Sequence, residues 1–251
     1  MQFSNHCYAV LGLAAIPPWV VNAGFVVGET TTLIVDSGMN WRAGQTILGY
    51  ATAVRPSNRI IALNSEPHFD HIGGNGYFQS QGVTVYGHPE IQRTAAQFAG
   101  EKAEYNEHIL NPVRRQQQET NAFFAQTTVT NPTQPVHDGM VFDLGGLEAR
   151  IIYTPGHTPL NLSVFVPQDK ALFCGDCLVG DYIPNLEAGN PALWRDWLVS
   201  LDKVATLGLT AVLPGHGGVL VETAVSAEIE RHRDILQQAI RTSKAPTQTS
   251  A

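Results

Sequence analysis

Cysteine is scarce in this chain of 251 residues: the three are Cys7, Cys174 and Cys177. An odd count gives no complete disulfide framework, so a reducing compartment is the simpler expectation. Charge is thin as well, at 15% of residues, and leans acidic with a net charge of −7. That balance argues against nucleic acid as the main partner, because phosphate binding needs a basic face, although a local basic pocket stays open. Long hydrophobic runs are also missing. The best of them, Tyr8 to Val21, is interrupted by Pro17 and Pro18 and is too short to span a membrane. Positions 1–6 carry no Lys or Arg, so the basic start of a secretory leader is absent. A pair of strands is expected there instead, with a cytoplasmic location and no membrane partner.

What is present suits a folded enzyme-sized unit. Hydrophobic residues make up 43%, which excludes disorder as a serious reading. The 23 glycines and 15 prolines imply many tight connections between short elements. Residues 7–16, 20–28 and 31–36 read as strands, the last running Leu33-Ile34-Val35-Asp36-Ser37-Gly38. Asp36 at that strand end could support metal ligands or cap the next helix, and the residues leave both open. A helix is expected from Trp41 to Thr52, a buried strand at 59–63, a short helix from Gly76 to Gln81 and a strand from Val83 to Tyr86.

From Pro89 to about Gln126 the composition turns to Gln, Glu, Ala and Arg, with Ile91, Ala95, Phe98, Tyr105, Ile109, Phe123 and Phe124 at loosely helical spacing. A helical insertion broken near Asn111-Pro112 is expected, either lining a substrate pocket or simply covering a sheet. Strands return at Met140–Phe142, Leu147–Tyr153, Leu162–Val166 and Ala171–Cys174, with Gly145-Gly146 as a hairpin turn. A helix from Pro191 to Thr206, a strand from Thr210 to Leu213 and a final helix from about Val221 to Ser243 complete the chain, before a polar tail. Cys174 and Cys177 form a Cys-x-x-Cys, which suits a redox or metal pair, but the apolar strand before them favours buried thiols.

The densest chemistry lies in Asn64-Ser65-Glu66-Pro67-His68-Phe69-Asp70-His71-Ile72-Gly73-Gly74-Asn75, directly after the strand at 59–63. Glu66, His68, Asp70 and His71 are all metal-capable, and strand parity puts Glu66, His68 and Asp70 on one side. A plain polar turn uses many of the same residue types. Three further residues tip the balance. His157 in Thr154-Pro155-Gly156-His157, Asp176 in Cys174-Gly175-Asp176 and His216 in Pro214-Gly215-His216 each follow a strand beside glycine. Strand ends are where such sheets put their sites, and glycine lets the backbone approach a cofactor.

The order of these residues resembles the metallo-β-lactamase superfamily, whose signature is His-x-His-x-Asp-His followed by a lone His, a lone Asp and a lone His. The likeness runs over about residues 7 to 220. It implies an α/β four-layer αβ/βα sandwich, one domain over 1–251 with the helical insertion at about 89–126, and two divalent metal ions, zinc first and manganese or iron as alternatives. By position, Glu66, His68 and His157 would hold the first ion. Asp70, His71 and His216 would hold the second, with Asp176 bridging. Glu66 departs from the family's usual His. A carboxylate can still bind zinc at about 2.0–2.2 Å, and its hardness should favour manganese or iron; turning away from the site is its other option.

The resemblance further implies a metal-bound hydroxide attacking a carbonyl, with Asp70 and Asp176 as the catalytic residues. Asp at position 176 looks more like glyoxalase II and lactonases than like true β-lactamases. A small-molecule ester, lactone or thioester is therefore the expected substrate, with β-lactam hydrolysis as a weak side activity. A non-haem iron oxidoreductase of the same fold, a phosphodiesterase, and a binding module with a degenerate site are the alternatives. No oligomeric state follows from the sequence.

Overall fold

The structure is a computed structural model in which residues 1–13, 20–108, 116–180, 183–186 and 189–245 are described. In chain order the elements are β1 (Cys7–Val10), β2 (Ala23–Val27), β3 (Thr31–Val35), α1 (Trp41–Val54), β4 (Arg59–Leu63), α2 (Phe69–Ile72), α3 (Asn75–Ser80) and β5 (Thr84–Gly87). Then come α4 (Ala95–His108), α5 (Gln116–Phe123), β6 (Gln134–Pro135), β7 (Val141–Asp143), β8 (Glu148–Tyr153), β9 (Leu162–Val166) and β10 (Ala171–Phe173). Last are α6 (Pro191–Ala205), β11 (Ala211–Leu213), β12 (Leu220–Val221) and α7 (Thr223–Thr242).

The strands form two six-stranded sheets, ordered β1-β2-β3-β4-β5-β6 and β12-β11-β10-β9-β8-β7. Each central strand is buried on both faces, which explains its unbroken apolar sequence. In β3 and β4, Leu33, Val35, Ile61 and Leu63 meet Val164, Ala171, Phe173 and Leu213 between the sheets. Ile34 and Ala62 point the other way, toward Ile47 and Ala51 of α1 and Phe78 of α3. The second sheet repeats the plan: Leu172 and Val212 face Trp194, Trp197 and Leu201 of α6 and Ile229 and Leu236 of α7. Helix, sheet, sheet and helix thus make the expected four layers, each buried Leu, Ile or Val contributing about 1.5–3 kcal/mol of burial.

Topology then decides where the site lies. β3, β4, β5 and β6 run parallel, so their C-terminal ends share one edge. In the other sheet β10 is parallel to β11 and antiparallel to β9, which is antiparallel to β8. The C-terminal ends of β8, β10 and β11 therefore share an edge too. These ends deliver His157, Asp176 and His216, as β4 delivers the Glu66–His71 stretch.

Several expectations shift on inspection. The loop after β4 contains the helical turn α2. The last helix begins at Thr223, because Leu220 and Val221 instead pair with β11 as β12. The first strand pairs only to Val10; the remainder of 14–16, the Pro17-Pro18 break, the Asn111-Pro112 break and the end of the tail lie outside the described residues. Asn40, not Asp36, caps α1 by accepting from the Ala43 N–H at 2.8 Å. Cys7, Cys174 and Cys177 are free and buried. Burial pushes the Cys177 thiol up to about 12 and Cys174 well above its ordinary value, which leaves no nucleophilic thiolate near neutral pH. The Cys-x-x-Cys is a pair of core thiols.

The insertion lies on the back of the motif turn. Tyr105 and Phe124 are only 2% and 4% exposed and pack with Met39, Phe69 and Ile72. Phe98 stacks on Phe69 at a centroid distance of 4.0 Å. Those aromatics hold α2 in place, so the covering layer rather than the pocket wall describes Tyr105 and Phe124.

The N-terminus is latched by Asp169, in the turn between β9 and β10. Its carboxylate accepts from Ser4 Oγ at 2.6 Å, from the His6 N–H at 2.7 Å and from His6 Nδ1 at 2.8 Å. Burial raises the Asp169 pKa, but the Ser4 and His6 hydrogen bonds outweigh it and leave it below its ordinary value. A depressed folded pKa contributes stability above the unfolded pKa of about 3.9, and that stability is lost as pH falls through the folded value. Asp169→Asn is expected to cost about 1–3 kcal/mol at pH 7. Denaturant unfolding should show the gap from wild type closing below about pH 4; a gap independent of pH would remove the charge from this latch.

Candidate metal centre

Glu66 leaves β4 fully buried, and Pro67 and His68 carry the chain into α2. His68 is the residue before the turn, and its carbonyl accepts from the His71 N–H at 3.0 Å and the Ile72 N–H at 3.3 Å. A helical turn is what places the adjacent Asp70 and His71 at one site, since strand alternation would send them to opposite sides. Gly73 and Gly74 follow closely under Met39 and Ser37, where a Cβ at either position would overlap backbone carbonyls.

The residues expected from the sequence converge. Glu66 Oε1 lies 2.9 Å from His68 Nδ1, and His68 Nδ1 lies 3.0 Å from His157 Nε2. Asp70 Oδ2 is 3.3 Å from His216 Nε2 and 3.8 Å from His71 Nε2. Asp176 stands between the two trios: Oδ1 is 3.3 Å from His71 Nε2, and Oδ2 is 3.3 Å from His216 Nε2 and 3.5 Å from His157 Nε2. Glu66 does more than the sequence suggested. Its Oε1 is also 3.3 Å from His71 Nε2, so it reaches toward the second trio and has not turned away.

Supporting hydrogen bonds fix the rings. His71 Nδ1 donates to Asp36 Oδ2 at 2.9 Å, His157 Nδ1 to the Asn185 carbonyl at 3.2 Å and His216 Nδ1 to the Val20 carbonyl at 3.0 Å. Each such bond turns Nε2 toward the cluster, where it can serve as a donor atom to a metal once the ring is neutral. Asp36 also accepts from the Ser65 N–H and Ser65 Oγ, both at 2.7 Å. Its φ of 65° is left-handed, a conformation costly for a residue with a Cβ and typical of a constrained site. Asp36 is thus the partner of a candidate ligand, one of the two roles its position allowed. Sequence reasoning passed over Asn161, whose Oδ1 accepts from the Asp176 N–H at 3.2 Å, and Asn22, whose Nδ2 holds the Pro214 and Gly217 carbonyls on either side of His216. Neither has a local signal, because each acts across the fold. Gly215 is dictated by close approach: a Cβ there would overlap Asp176 Oδ1.

The electrostatics call for cations. Burial pushes the Asp176 carboxyl up, yet His216 and His71 hold it well below its ordinary value. Burial and His71 act in the same opposed way on Asp70, which ends at about 2. His71 is raised well above its ordinary value: burial lowers it, and Asp36, Asp70 and Glu66 outweigh that. Three atoms inside the cluster, Glu66 Oε2, His71 Nε2 and Asp176 Oδ1, are buried without a hydrogen-bond partner. Orphaned buried polar atoms are costly, and a bound ion is one of the standard ways to satisfy them. In the sets Glu66/His68/His157, Asp70/His71/His216 and Glu66/His71/Asp176, the donor atoms lie within 4.8 Å of one another. Bonds of about 2.0–2.1 Å at a tetrahedral ion separate its ligands by about 3.3 Å, which matches the Asp70–His216, Asp176–His71 and Asp176–His216 spacings, while Asp70 and His71 stand at 3.8 Å. The donor set fits divalent metal.

Comparison with known proteins agrees with the architecture. Residues 16–216 match the family model described as the metallo-beta-lactamase superfamily. A beta-lactamase-like protein 2 homolog of Caenorhabditis elegans is 32% identical over 41% of this chain and 35% of its own length. An atrochrysone carboxyl ACP thioesterase of Aspergillus fumigatus is 25% identical over 79% of this chain and 52% of its own. The chain thus spans about half, or less, of these relatives. The crystal structure of a metallo-beta-lactamase family protein from Thermus thermophilus shares the fold, with a TM-score of 0.65, 23% identity, and coverage of 96% of this chain and 84% of that one. Among the described residues no helix is long and apolar enough to cross a membrane. With the family model matching most of its length, the chain belongs to the metallo-β-lactamase superfamily.

Proposed function

We propose that this protein is a metal-dependent hydrolase of a small carboxylic ester, lactone or thioester. The observation that carries the reading is the trio of partnerless buried atoms, Glu66 Oε2, His71 Nε2 and Asp176 Oδ1, set among the donors of two ligand trios. Glu66, His68 and His157 would hold one divalent ion and Asp70, His71 and His216 the other, with Asp176 between them. Such ions, when bound, polarise a carbonyl and bring the pKa of water down toward about 7. The chain's own residues do the rest. Asp176 aims one oxygen at each side of the cluster and can orient the attacking water by accepting a hydrogen bond from it. Asp70, an ionised carboxylate whose pKa is held at about 2, can take the proton only in passing, on its way to the leaving group. Asp36 and the Asn185 and Val20 carbonyls keep the imidazoles in the tautomer that presents Nε2. The His68 side chain is 31% exposed while its neighbours are nearly buried, so substrate would approach on its side.

The thioesterase relative, matched over 79% of this chain, supports an acyl substrate. Glu66 beside His71 supports a second reading, a non-haem iron oxidoreductase, because mixed carboxylate and imidazole donors suit iron. Zinc and manganese supplementation against a panel of 4-nitrophenyl esters, γ-lactones, acyl thioesters and a β-lactam separates the two. Hydrolysis lost to chelator and restored by either ion is the expected result. Iron in the purified protein together with no hydrolysis at any metal loading would overturn the hydrolase, and hydrolysis undiminished by chelation would overturn its dependence on metal.

A further inference from the structure

Polar groups are sparse on the buried faces of α6 and α7, and each goes to a loop that serves a candidate ligand. Apart from Leu, Val, Ile and Ala, these faces bury Trp194, Trp197, Ser200 and His232. Ser200 Oγ donates to the carbonyl of Pro155 at 2.6 Å, in the loop that delivers His157. Trp194 Nε1 donates to the Leu186 carbonyl at 3.3 Å, beside the Asn185 carbonyl that accepts from His157 Nδ1. Trp197 Nε1 donates at 2.8 Å to the carbonyl of Cys177, the residue after Asp176.

His232 is the fourth, and the one an apolar layer has least use for. It is fully buried. A backbone N–H can only donate, so the 3.1 Å contact between the Val179 N–H and Nε2 makes Nε2 the acceptor and puts the ring proton on Nδ1. Nδ1 faces Glu228, whose carbonyl oxygen lies at 3.0 Å and whose Oε1 lies at 3.1 Å. The neighbouring Arg231 holds the other side of the same residue: its Nη2 donates to the Val179 carbonyl at 3.1 Å. Glu228 Oε1 accepts from Arg231 Nε at 2.8 Å, so one carboxylate orients both side chains.

Both backbone groups of Val179 are thus gripped from α7, and a candidate ligand lies on either side of that grip. Asp176 precedes Val179 by a single turn of chain. The following Gly180 N–H donates to the His216 carbonyl at 2.8 Å. The two segments run so close there that a Cβ on Gly217 would overlap the Gly180 carbonyl. Asp176 Oδ2 and His216 Nε2 stand 3.3 Å apart. Leucine would fill the His232 position in an apolar layer and lacks only the acceptor.

We propose that His232, assisted by Arg231, is a positioning residue for the metal centre. Its grip on Val179 sets the 176–180 turn, and with it Asp176 and His216, at the spacing an ion requires. The proposal rests on the metal-dependent reading above and extends that machinery to α7, which supplies no ligand. Groups that orient metal ligands alter affinity by about 10–100-fold. The lower end applies here, because the effect passes through Val179.

The test uses the full chain with His232→Gln, His232→Leu and Arg231→Ala. Glutamine offers an oxygen that can accept from Val179 in place of Nε2, and leucine offers none. Zinc dissociation constants are measured by competition with a chromophoric chelator, beside melting temperatures of the metal-free proteins. His232→Leu is expected to weaken zinc at the Asp70, His71 and His216 trio about tenfold, and His232→Gln should restore most of that loss. Arg231→Ala alters a side chain that is 36% exposed. It should weaken zinc in the same direction, and it keeps the comparison available if His232→Leu does not fold. Lower melting temperatures with unchanged zinc constants would reduce both residues to supports of α7 and overturn the proposal. Equal losses in His232→Leu and His232→Gln would assign the effect to packing and overturn it too. If wild type takes up no ion, the metal-centre reading fails by itself, and spectra of the metal-free proteins with isotope-labelled histidine decide the role of His232. His216 ring signals that move in His232→Leu and return in His232→Gln support the grip; signals that stay in place overturn it.

Discussion

Asp176→Ala is expected to lower turnover of the best substrate by about a hundredfold or more while leaving the fold intact. Removal of groups that merely orient a metal ligand costs about 10–100-fold, and Asp176 is placed to do more, with an oxygen 3.3 Å from His71 Nε2 and another 3.3 Å from His216 Nε2. Metal-free stability should fall by much less than turnover does. Attraction to His71 and His216 outweighs burial of the Asp176 carboxyl, so deleting it costs stability, and loss of its repulsion with Asp70 offsets part of that cost. Melting temperatures of the two metal-free proteins are expected to differ by about 10 °C at most, the equivalent of about 3–5 kcal/mol for a chain of this size. Wild-type rates in the variant would mean that Asp176 bridges nothing.

Glu66 is the second place where a single side chain should have a large effect, this time on metal preference. The carboxylate is fully buried, 2.9 Å from His68 Nδ1 and 3.3 Å from His71 Nε2. It adds an oxygen donor and a negative charge where the family usually has imidazole, a substitution that favours harder ions over zinc. Glu66→His is expected to raise the zinc affinity of the first site relative to manganese by about tenfold, equivalent to about 1.4 kcal/mol. Glu66→Ala should leave Asp70, His71 and His216 able to hold one ion and the first trio unable to hold its own. Dissociation constants for zinc, manganese and iron in a single buffer check both variants. Identical constants in wild type, Glu66→His and Glu66→Ala would show that the carboxylate never meets the metal.

Much of the site was legible because its chemistry is local. Glycine-flanked His157, Asp176 and His216 announce strand ends, and parallel strands bring such ends to one edge whatever the details between them. Alternation worked for Glu66 and His68, which leave an extended strand. It gave no reason for Asp70 and His71 to cooperate, since adjacent strand residues face apart; the α2 turn supplies it, and four residues carry too little periodicity to be seen beforehand. Asp36 was ambiguous because a carboxylate at a strand end can cap a helix or orient a ligand. Only the position of Ser65 and His71, some 30 residues away in sequence, decides between them. Tyr105 and Phe124 show the same limit. Aromatic residues at helical spacing state that a helix is covered, and the partner that covers it is a matter of tertiary packing. Asn22 and Asn161 were invisible for that reason too.

The most direct test is the number of ions one chain holds. Protein stripped with chelator and titrated with zinc or manganese, with elemental analysis of the gel-filtered product, should reach two ions per chain. Asp70→Ala should reach one, since Glu66, His68 and His157 keep the first site. A wild-type plateau at one ion or none with every metal, or a plateau that Asp70→Ala does not lower, would contradict a dinuclear centre built from these residues.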